Sequence, residues 1–506
     1  MVSEKNLELI FLVFLLVIGI YYIYLALGTQ MLGEDEPYYY SMAQDFSHGK
    51  FPIYDELGRD YPWSYFTSLL SAFFLLLTNP SLSVLKAVSA FFGLLTLIFV
   101  YLIGKKFNIY YGIFSVFLLF SIQLFSQFMM LAYVEIPIAF FSILVFYLFL
   151  KLKDIKTSLF TGLILGLAYF TKTSALILPF ILIIYALIRF FYFKDKKYIK
   201  FAFISIIVFS LFLSSIVIRN LVLFKYPYTT GLDFFFKPSE HSRTEWPNWL
   251  IKEFQTVSPV KLSLGTYMST FGSIGFIFLI FGFTYFLFNR KEDKKEREPL
   301  ILMVLFSLLF IIVFSFYSIF SLIPLESRYF SIIFPQIALL GGLFLWKLKE
   351  WNKMFLILIF PVLLFSLYSS ITTATQTNGS QRYPNDYLEA LKWIKDNTPK
   401  DAIIFTTYGG SLEYFGERNS IWASDIGEHF PELMTTSNST LISETLKSYN
   451  VSYILIWRST MAQNYIIPES NIWGVFTYKF ADVISKDTTN FNNTFSNQNN
   501  WIFKLN

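Results

Sequence analysis

Runs of roughly 17 to 23 apolar residues begin near Leu7, Leu82, Ile109, Ile136, Thr157, Ser174, Lys200, Thr266, Pro299, Tyr329 and Met354, the length a helix needs to cross ~30 Å of hydrocarbon. In lipid every backbone polar group must be satisfied within the segment, so such runs fold as helices. The sequence therefore predicts a polytopic α-helical membrane protein with about eleven transmembrane helices. Composition agrees: the 506 residues are 55% hydrophobic and 15% charged, against about 25% charged in soluble domains. The net charge of +5 points to no nucleic-acid partner, because in such a chain the placement of Lys and Arg carries the information. The absence of cysteine excludes a disulfide framework, a thiolate metal site and a cysteine nucleophile. His48, His241 and His429 lie too far apart to form a zinc motif by spacing. Met1 to Ile10 lacks a basic n-region, and no small-residue cleavage site follows, so the first run reads as a retained span.

Orientation comes from five basic clusters: Lys105 and Lys106; Lys151, Lys153 and Lys156; Lys194, Lys196, Lys197 and Lys200; Arg290 to Arg297; and Lys347, Lys349 and Lys353. The positive-inside rule places all five in the cytoplasm. They share one side only if the shorter apolar stretch 63–78 does not cross. That stretch is then an interfacial or re-entrant helix, anchored by Tyr61, Trp63, Tyr65 and Phe66. The expected topology is a multi-pass cell-membrane protein with a cytoplasmic N-terminus, an outer loop over 28–81, a second outer loop over 223–264, and an extracytoplasmic C-terminal domain. The division falls between a transmembrane module over 1–372 and a soluble α/β domain over 373–506.

The C-terminal segment is polar and Asn-rich. A helix is expected from Tyr383-Pro384-Asn385 to Asn397, then a strand at Ala402 to Phe405; a second such unit runs from Leu441 to Tyr449 and Ser452 to Ile456. All four glycosylation sequons of the chain, at Asn378, Asn438, Asn450 and Asn492, lie in this segment, which suits a position outside the cytoplasm.

Charges that break the positive-inside bias locate the chemistry. The stretch from Thr29 to Trp63 holds Glu34, Asp35, Glu36, Asp45, Asp55, Glu56 and Asp60 against Lys50 and Arg59. Asp35 and Glu36 stand closest to the first span. Glu135 lies where one span ends outside and the next begins, and a carboxylate so near hydrocarbon is a functional candidate. Lys172, Arg219 and Arg328 sit on the same face. Acids beside cations at one membrane face suit an anionic lipid headgroup next to a proton acceptor. Transfer from a polyprenyl phosphate sugar needs this combination: cations stabilise the departing phosphate and a carboxylate takes the acceptor's proton.

Asp35-Glu36-Pro37-Tyr38-Tyr39-Tyr40-Ser41-Met42-Ala43 after a first span, followed by Tyr61-Pro62-Trp63-Ser64-Tyr65, resembles the first outer loop of GT-C fold glycosyltransferases, the group of protein O-mannosyltransferases and lipid A aminoarabinose transferases. Met130 to Phe141, Gly166 to Lys172, and Arg328-Tyr329 with Pro335 are similar to later signatures of the group. The resemblance implies that Asp35 is the catalytic carboxylate, that Glu135 takes the second acidic position, and that Lys172 and Arg328 lie near the lipid-phosphate sugar. Members often read Lys-Pro-Pro where this chain has Tyr61-Pro62-Trp63, which leaves Arg59 as the substitute phosphate contact.

The expected function is thus an inverting transfer of sugar from a polyprenyl or dolichyl phosphate to a protein, glycan or lipid acceptor at the outer face. Asp35, with Glu36 and Glu135, forms the catalytic set, and Arg59, Lys172, Arg219, Arg328 and Tyr329 bind substrate. A divalent cation, Mg or Mn, on Asp35 and Glu135 is optional. A transporter or lipid flippase is the alternative; it would place ionisable residues near the bilayer midplane. A receptor built around the C-terminal domain is a third reading.

Overall fold

Every apolar run that the structure describes is helical. The computed structural model describes residues 3–29, 35–51, 65–78, 81–224, 294–321, 327–379, 385–406, 411–422, 436–457 and 480–506, with Gly282, Thr284 and Leu433 singly. Glu34, Arg59, the Tyr61-Pro62-Trp63 motif, the loop over 225–264, the run from Thr266, and His241 and His429 lie outside the described residues.

The membrane module is built from α1 (Glu4–Gly28), α2 (Glu36–Ser47), α3 (Tyr65–Leu77), α4 (Leu82–Lys105), α5 (Ile109–Ser121), α6 (Gln123–Met129), α7 (Glu135–Lys151), α8 (Ile155–Thr171), α9 (Ile177–Phe191), α10 (Lys196–Phe224), α11 (Lys294–Ser321), α12 (Phe334–Trp351) and α13 (Phe355–Gly379). Among the described residues six helices are long and apolar enough to cross a membrane, or seven if the bent pair α5 and α6 is one span. The chain is a multi-pass membrane protein. α7 and α8, at 17 residues each, are about 25 Å long. The run from Ile109 breaks: α6 turns away from α5 by 78°. Ser121 Oγ donates to Leu118 O at 2.6 Å there, a back-bond of the kind that bends helices.

Burial ranks the helices. The span from Arg328 to Trp351 is 89% buried and runs through the middle, whereas Lys196–Val222 is 17% buried and faces outward. Central position requires close approach. A Cβ on Gly342 of α12 would lie 2.8 Å from Ser115 Cα of α5, and one on Gly162 of α8 would lie 2.5 Å from Ser205 O of α10. Gly162 and Gly166 form the small-xxx-small spacing that lets membrane helices touch backbone to backbone.

α3 has 13 residues, about 20 Å of helix. Its Thr67, Ser68, Ser71 and Ala72 point inward, while Leu69, Phe73, Leu76 and Leu77 are exposed. That is the reverse of a soluble helix and suits a lipid surround. Phe66 meets Phe141 of α7 edge to face at 5.4 Å.

Charged groups gather at the two ends of the bundle. Away from α2, Lys105 pairs with Glu8, and Arg189 pairs with Glu298 and, at 2.5 Å, with Asp195. Tyr185 Oη donates to Glu298 at 2.6 Å. α8 starts at this end because Asp154 caps it, accepting from Thr157 N at 2.8 Å.

At the other end a sheet domain follows α13, which itself runs past the change of composition near Thr372 to Gly379. The sheet comprises β1 (Ile403–Thr406), β2 (Asn419–Trp422), β3 (Val451–Trp457), β4 (Phe491–Ser496) and β5 (Asn500–Leu505), in the order β2-β1-β3-β5-β4. β1 pairs parallel with β2 and β3, and β5 pairs antiparallel with β3 and β4. α14 (Asn385–Asn397) and α15 (Ser439–Ser448) cover it, the latter capped by Asn438, whose side chain accepts from Thr440 N at 3.1 Å. The sequon at Asn438 thus serves as a helix cap. Asn492 is exposed on the edge strand β4. The domain rests on the membrane module through the Tyr414 and Tyr40 rings, 5.8 Å apart, and the end of α13 from which it follows is tied to the end of α1 by Thr29 Oγ1, which donates to Asn378 Oδ1 at 3.2 Å.

Candidate active site

α2 lies against the bundle end opposite the Arg189 cluster, and local sequence accounts for its limits. Pro37 stands in its first turn and Glu36 adds an acid there, both favourable at a helix N-terminus. It stops at His48-Gly49, where Gly49 adopts φ +73°, a left-handed conformation that suits glycine. Asp35 therefore sits at the start of a rigid element, and its side chain reaches Arg328 instead of capping its own helix.

Arg328 comes from the 3₁₀ turn Ser327–Ile333 that leads into α12. Its guanidinium pairs with Asp35 and lies 6.0 Å from the Tyr133 ring and 5.8 Å from the Tyr329 ring. A second pair stands beside the first. Lys172 Nζ is 2.7 Å from Glu135 Oε1 and 5.1 Å from the same Tyr329 ring. Tyr329 thus receives one cation from each pair. Glu135 opens α7 and Lys172 follows the last turn of α8 in an extended conformation, so two helix ends deliver this pair.

Burial makes these contacts strong. The side chains of Asp35 and Glu135 are 7% and 2% exposed; those of Arg328 and Lys172 are 22% and 14% exposed. The cations thus face the opening and the acids lie behind them. Glu135 Oε2 is buried with no hydrogen-bond partner among the described residues. Such an atom costs free energy unless a ligand or water satisfies it. Tyr39 of α2 connects the pairs: burial pushes its phenol well above the usual range, and the charges of Asp35 and then Glu135 push it further.

Glu36 faces the other way. Its side chain is fully buried, accepts the Ala132 backbone N–H, and lies 3.8 Å from Lys86 Nζ, which also donates to Thr29 O at 3.0 Å. Lys86 is not among the residues that the sequence motifs single out. A lone cation in the opening turns of an apolar helix was the signal for it.

The structure brings Asp35, Glu135, Lys172, Arg328 and Tyr329 together. It places Arg219 elsewhere, 5.1 Å above the Tyr65 ring and bonded to Asn220 at 3.0 Å. Tyr65 packs on Phe46 at 6.3 Å, and Phe46 is eleven residues along α2 from Asp35, about 17 Å. For a divalent cation the donor set is short: among the described residues no three His, Asp or Glu side chains converge. Asp35 and Glu135 already carry Arg328 and Lys172. The described residues alone do not assemble a cation site, and no step below is routed through one.

A helical bundle with acids and cations at the end that bears the sheet domain, and short helices across that end, is a fold this chain shares with solved glycosyltransferase structures of the GT-C type. Residues 64–214 match the family model of dolichyl-phosphate-mannose-protein mannosyltransferases. Three solved structures are similar over most of the chain. ArnT from Cupriavidus metallidurans bound to undecaprenyl phosphate matches at 11% identity with TM-score 0.64, covering 97% of each chain. The archaeal oligosaccharyltransferase AglB from Archaeoglobus fulgidus, in complex with an inhibitory peptide and a dolichol-phosphate, matches at 14% identity with TM-score 0.61, covering 92% of this chain and 71% of that one. The arabinofuranosyltransferase AftD from Mycobacteria matches at 11% identity with TM-score 0.51, covering 97% of this chain and 40% of that one. Comparison with curated proteins returns no match.

Proposed function

We propose that the chain is an inverting glycosyltransferase that moves a sugar from a polyprenyl or dolichyl phosphate to an acceptor on the outer face of the membrane. The observation that carries this reading is the adjacency of two acid–cation pairs, buried Asp35 with half-buried Arg328 and buried Glu135 with half-buried Lys172, around one tyrosine ring. The likeness to structures with bound dolichol-phosphate and undecaprenyl phosphate supports the donor class.

The donor's phosphodiester carries one negative charge and leaves with two. Arg328 and Lys172, the more exposed members of their pairs, turn to the phosphate and meet the charge that develops there. Asp35, released from Arg328, takes the acceptor's hydroxyl proton as the oxygen attacks the anomeric carbon from the side opposite the leaving phosphate. One C–O bond forms, one breaks, and the configuration inverts. Glu135 orients the acceptor through its second oxygen, which has no partner among the described residues. The basic ends of the helices, Lys105, Lys151 and Lys349, lie at the opposite end of the bundle, which supports an extracytoplasmic site and C-terminal domain. A transporter or flippase finds less support, since the described charges lie at helix ends and not at mid-span.

The test is a panel of radiolabelled polyprenyl phosphate sugars incubated with membranes containing the protein or its Asp35→Asn variant. Wild type is expected to move one label onto an acceptor, and the variant to lose about 10²- to 10⁴-fold in rate, the contribution of a general base. Undiminished transfer by the variant would refute the role of Asp35.

A further inference from the structure

Glu36 stands next to the proposed base, yet its carboxylate points into the protein. It is fully buried and so is Lys86, whose side chain is 2% exposed. The two side chains hold four segments: Lys86 in the opening turns of α4 reaches the Thr29 carbonyl beyond the last turn of α1, and Glu36 at the start of α2 accepts the N–H of Ala132 in the turn before α7. Asp35 is one residue from Glu36, and Glu135 is three residues from Ala132. Charges buried this deeply gain little net stability over an apolar pair of the same volume. What they do provide is a link between two turns: Glu36 accepts the Ala132 N–H and faces the Lys86 ammonium, and a charge-assisted hydrogen bond of this kind is short and strong.

We infer that Glu36 is a positioning residue that, with Lys86, sets the distance between the Asp35 and Glu135 carboxylates. This rests on the transferase reading of the site. Misplacement of a reacting group by about 1 Å costs about 100-fold in rate, so the link acts on turnover and not on donor binding. Donor affinity depends on Arg328 and Lys172, which Glu36 does not touch among its described contacts.

The experiment compares wild type with Glu36→Gln, Lys86→Met and the double variant, using the donor that wild type transfers and, in parallel, thermal unfolding in detergent. Glu36→Gln keeps an oxygen for Ala132 but leaves the Lys86 charge buried. It is expected to lose about 100-fold in kcat, with the donor KM within about twofold of wild type, and to unfold at a lower temperature. The double variant, with no uncompensated charge, is expected to recover most of the midpoint and part of the kcat. A double variant no faster than Glu36→Gln would overturn the inference, since Glu36 would then act on substrate directly. So would a double variant that folds no better than either single. If wild type moves no label from any donor, the transferase reading fails on its own, and the unfolding midpoints still decide whether Glu36 and Lys86 are coupled.

Discussion

Replacing Lys172 by methionine removes the ammonium 2.7 Å from Glu135 Oε1 and separates the two tasks that a cation at this point can have. As a counterion, Lys172 keeps a carboxylate that is only 2% exposed from standing alone. Loss of one partner of a buried pair costs about 3–5 kcal/mol, and the low end applies because the Lys172 side chain faces the opening. As a phosphate ligand, it stabilises charge that develops on the leaving group, a contribution of about 10²–10³ in turnover. A double-mutant cycle with Glu135→Gln resolves the two. In the Glu135→Gln background no buried charge is stranded, so Lys172→Met is expected to cost little stability. It is still expected to lower turnover about 100-fold at saturating acceptor. Unfolding midpoints in detergent and transfer rates on the same four proteins provide the measurement. If Lys172→Met leaves turnover unchanged once the neighbouring carboxylate has been replaced by an amide, Lys172 is a counterion only and its assignment to the donor phosphate is refuted.

Two further predictions concern the scaffold. A methyl group at Gly162 would meet Ser205 O and Val208 Cβ at 2.5 Å, so Gly162→Ala should force α8 from α10 and cost about 1–3 kcal/mol, read as a lowered unfolding midpoint. In the sheet domain the Asp487 carboxyl is held down to about 2 by hydrogen bonds from Asn490 and then Ser439. Its folded value lies below its unfolded one, so its contribution is present above about pH 4 and is lost as pH falls toward 2. Acid titration of the domain's unfolding should show this loss, and Asp487→Asn should remove it.

Much of the fold could be read from apolar run length, because a bilayer imposes one length scale on every segment that crosses it. The helices Asn385–Asn397 and Ser439–Ser448 and the strands Ile403–Thr406 and Val451–Trp457 fall where composition and capping predicted them. β2, β4 and β5 were not anticipated. β4 reads Phe-Asn-Asn-Thr-Phe-Ser, polar enough to pass for loop, and it is a strand only because β5 pairs with it. The break between α5 and α6 was equally hidden, since hydropathy does not register a change of direction. At the site, the residue types and their common face were legible from the cost of charge near hydrocarbon. The pairings were not: Asp35 and Arg328 are 293 positions apart, and nothing local to either names the other. Arg219 shows the limit from the other direction, a cation at the right face that the helix geometry sets beside Tyr65 and away from Asp35.

The inside-out arrangement of α3 affects how that segment records selection. Its outward residues, Leu69, Phe73, Leu76 and Leu77, answer only to lipid, which accepts any apolar shape, so their identities carry little information. Its inward residues, Thr67, Ser68, Ser71, Ala72 and Leu75, answer to volume, since close-packed positions resist added methylenes. The helix therefore encodes its position mostly in its small side chains, with Leu75 and Phe66 as the bulky residues that pack inward, and the exposed bulky ones are the interchangeable part of the text.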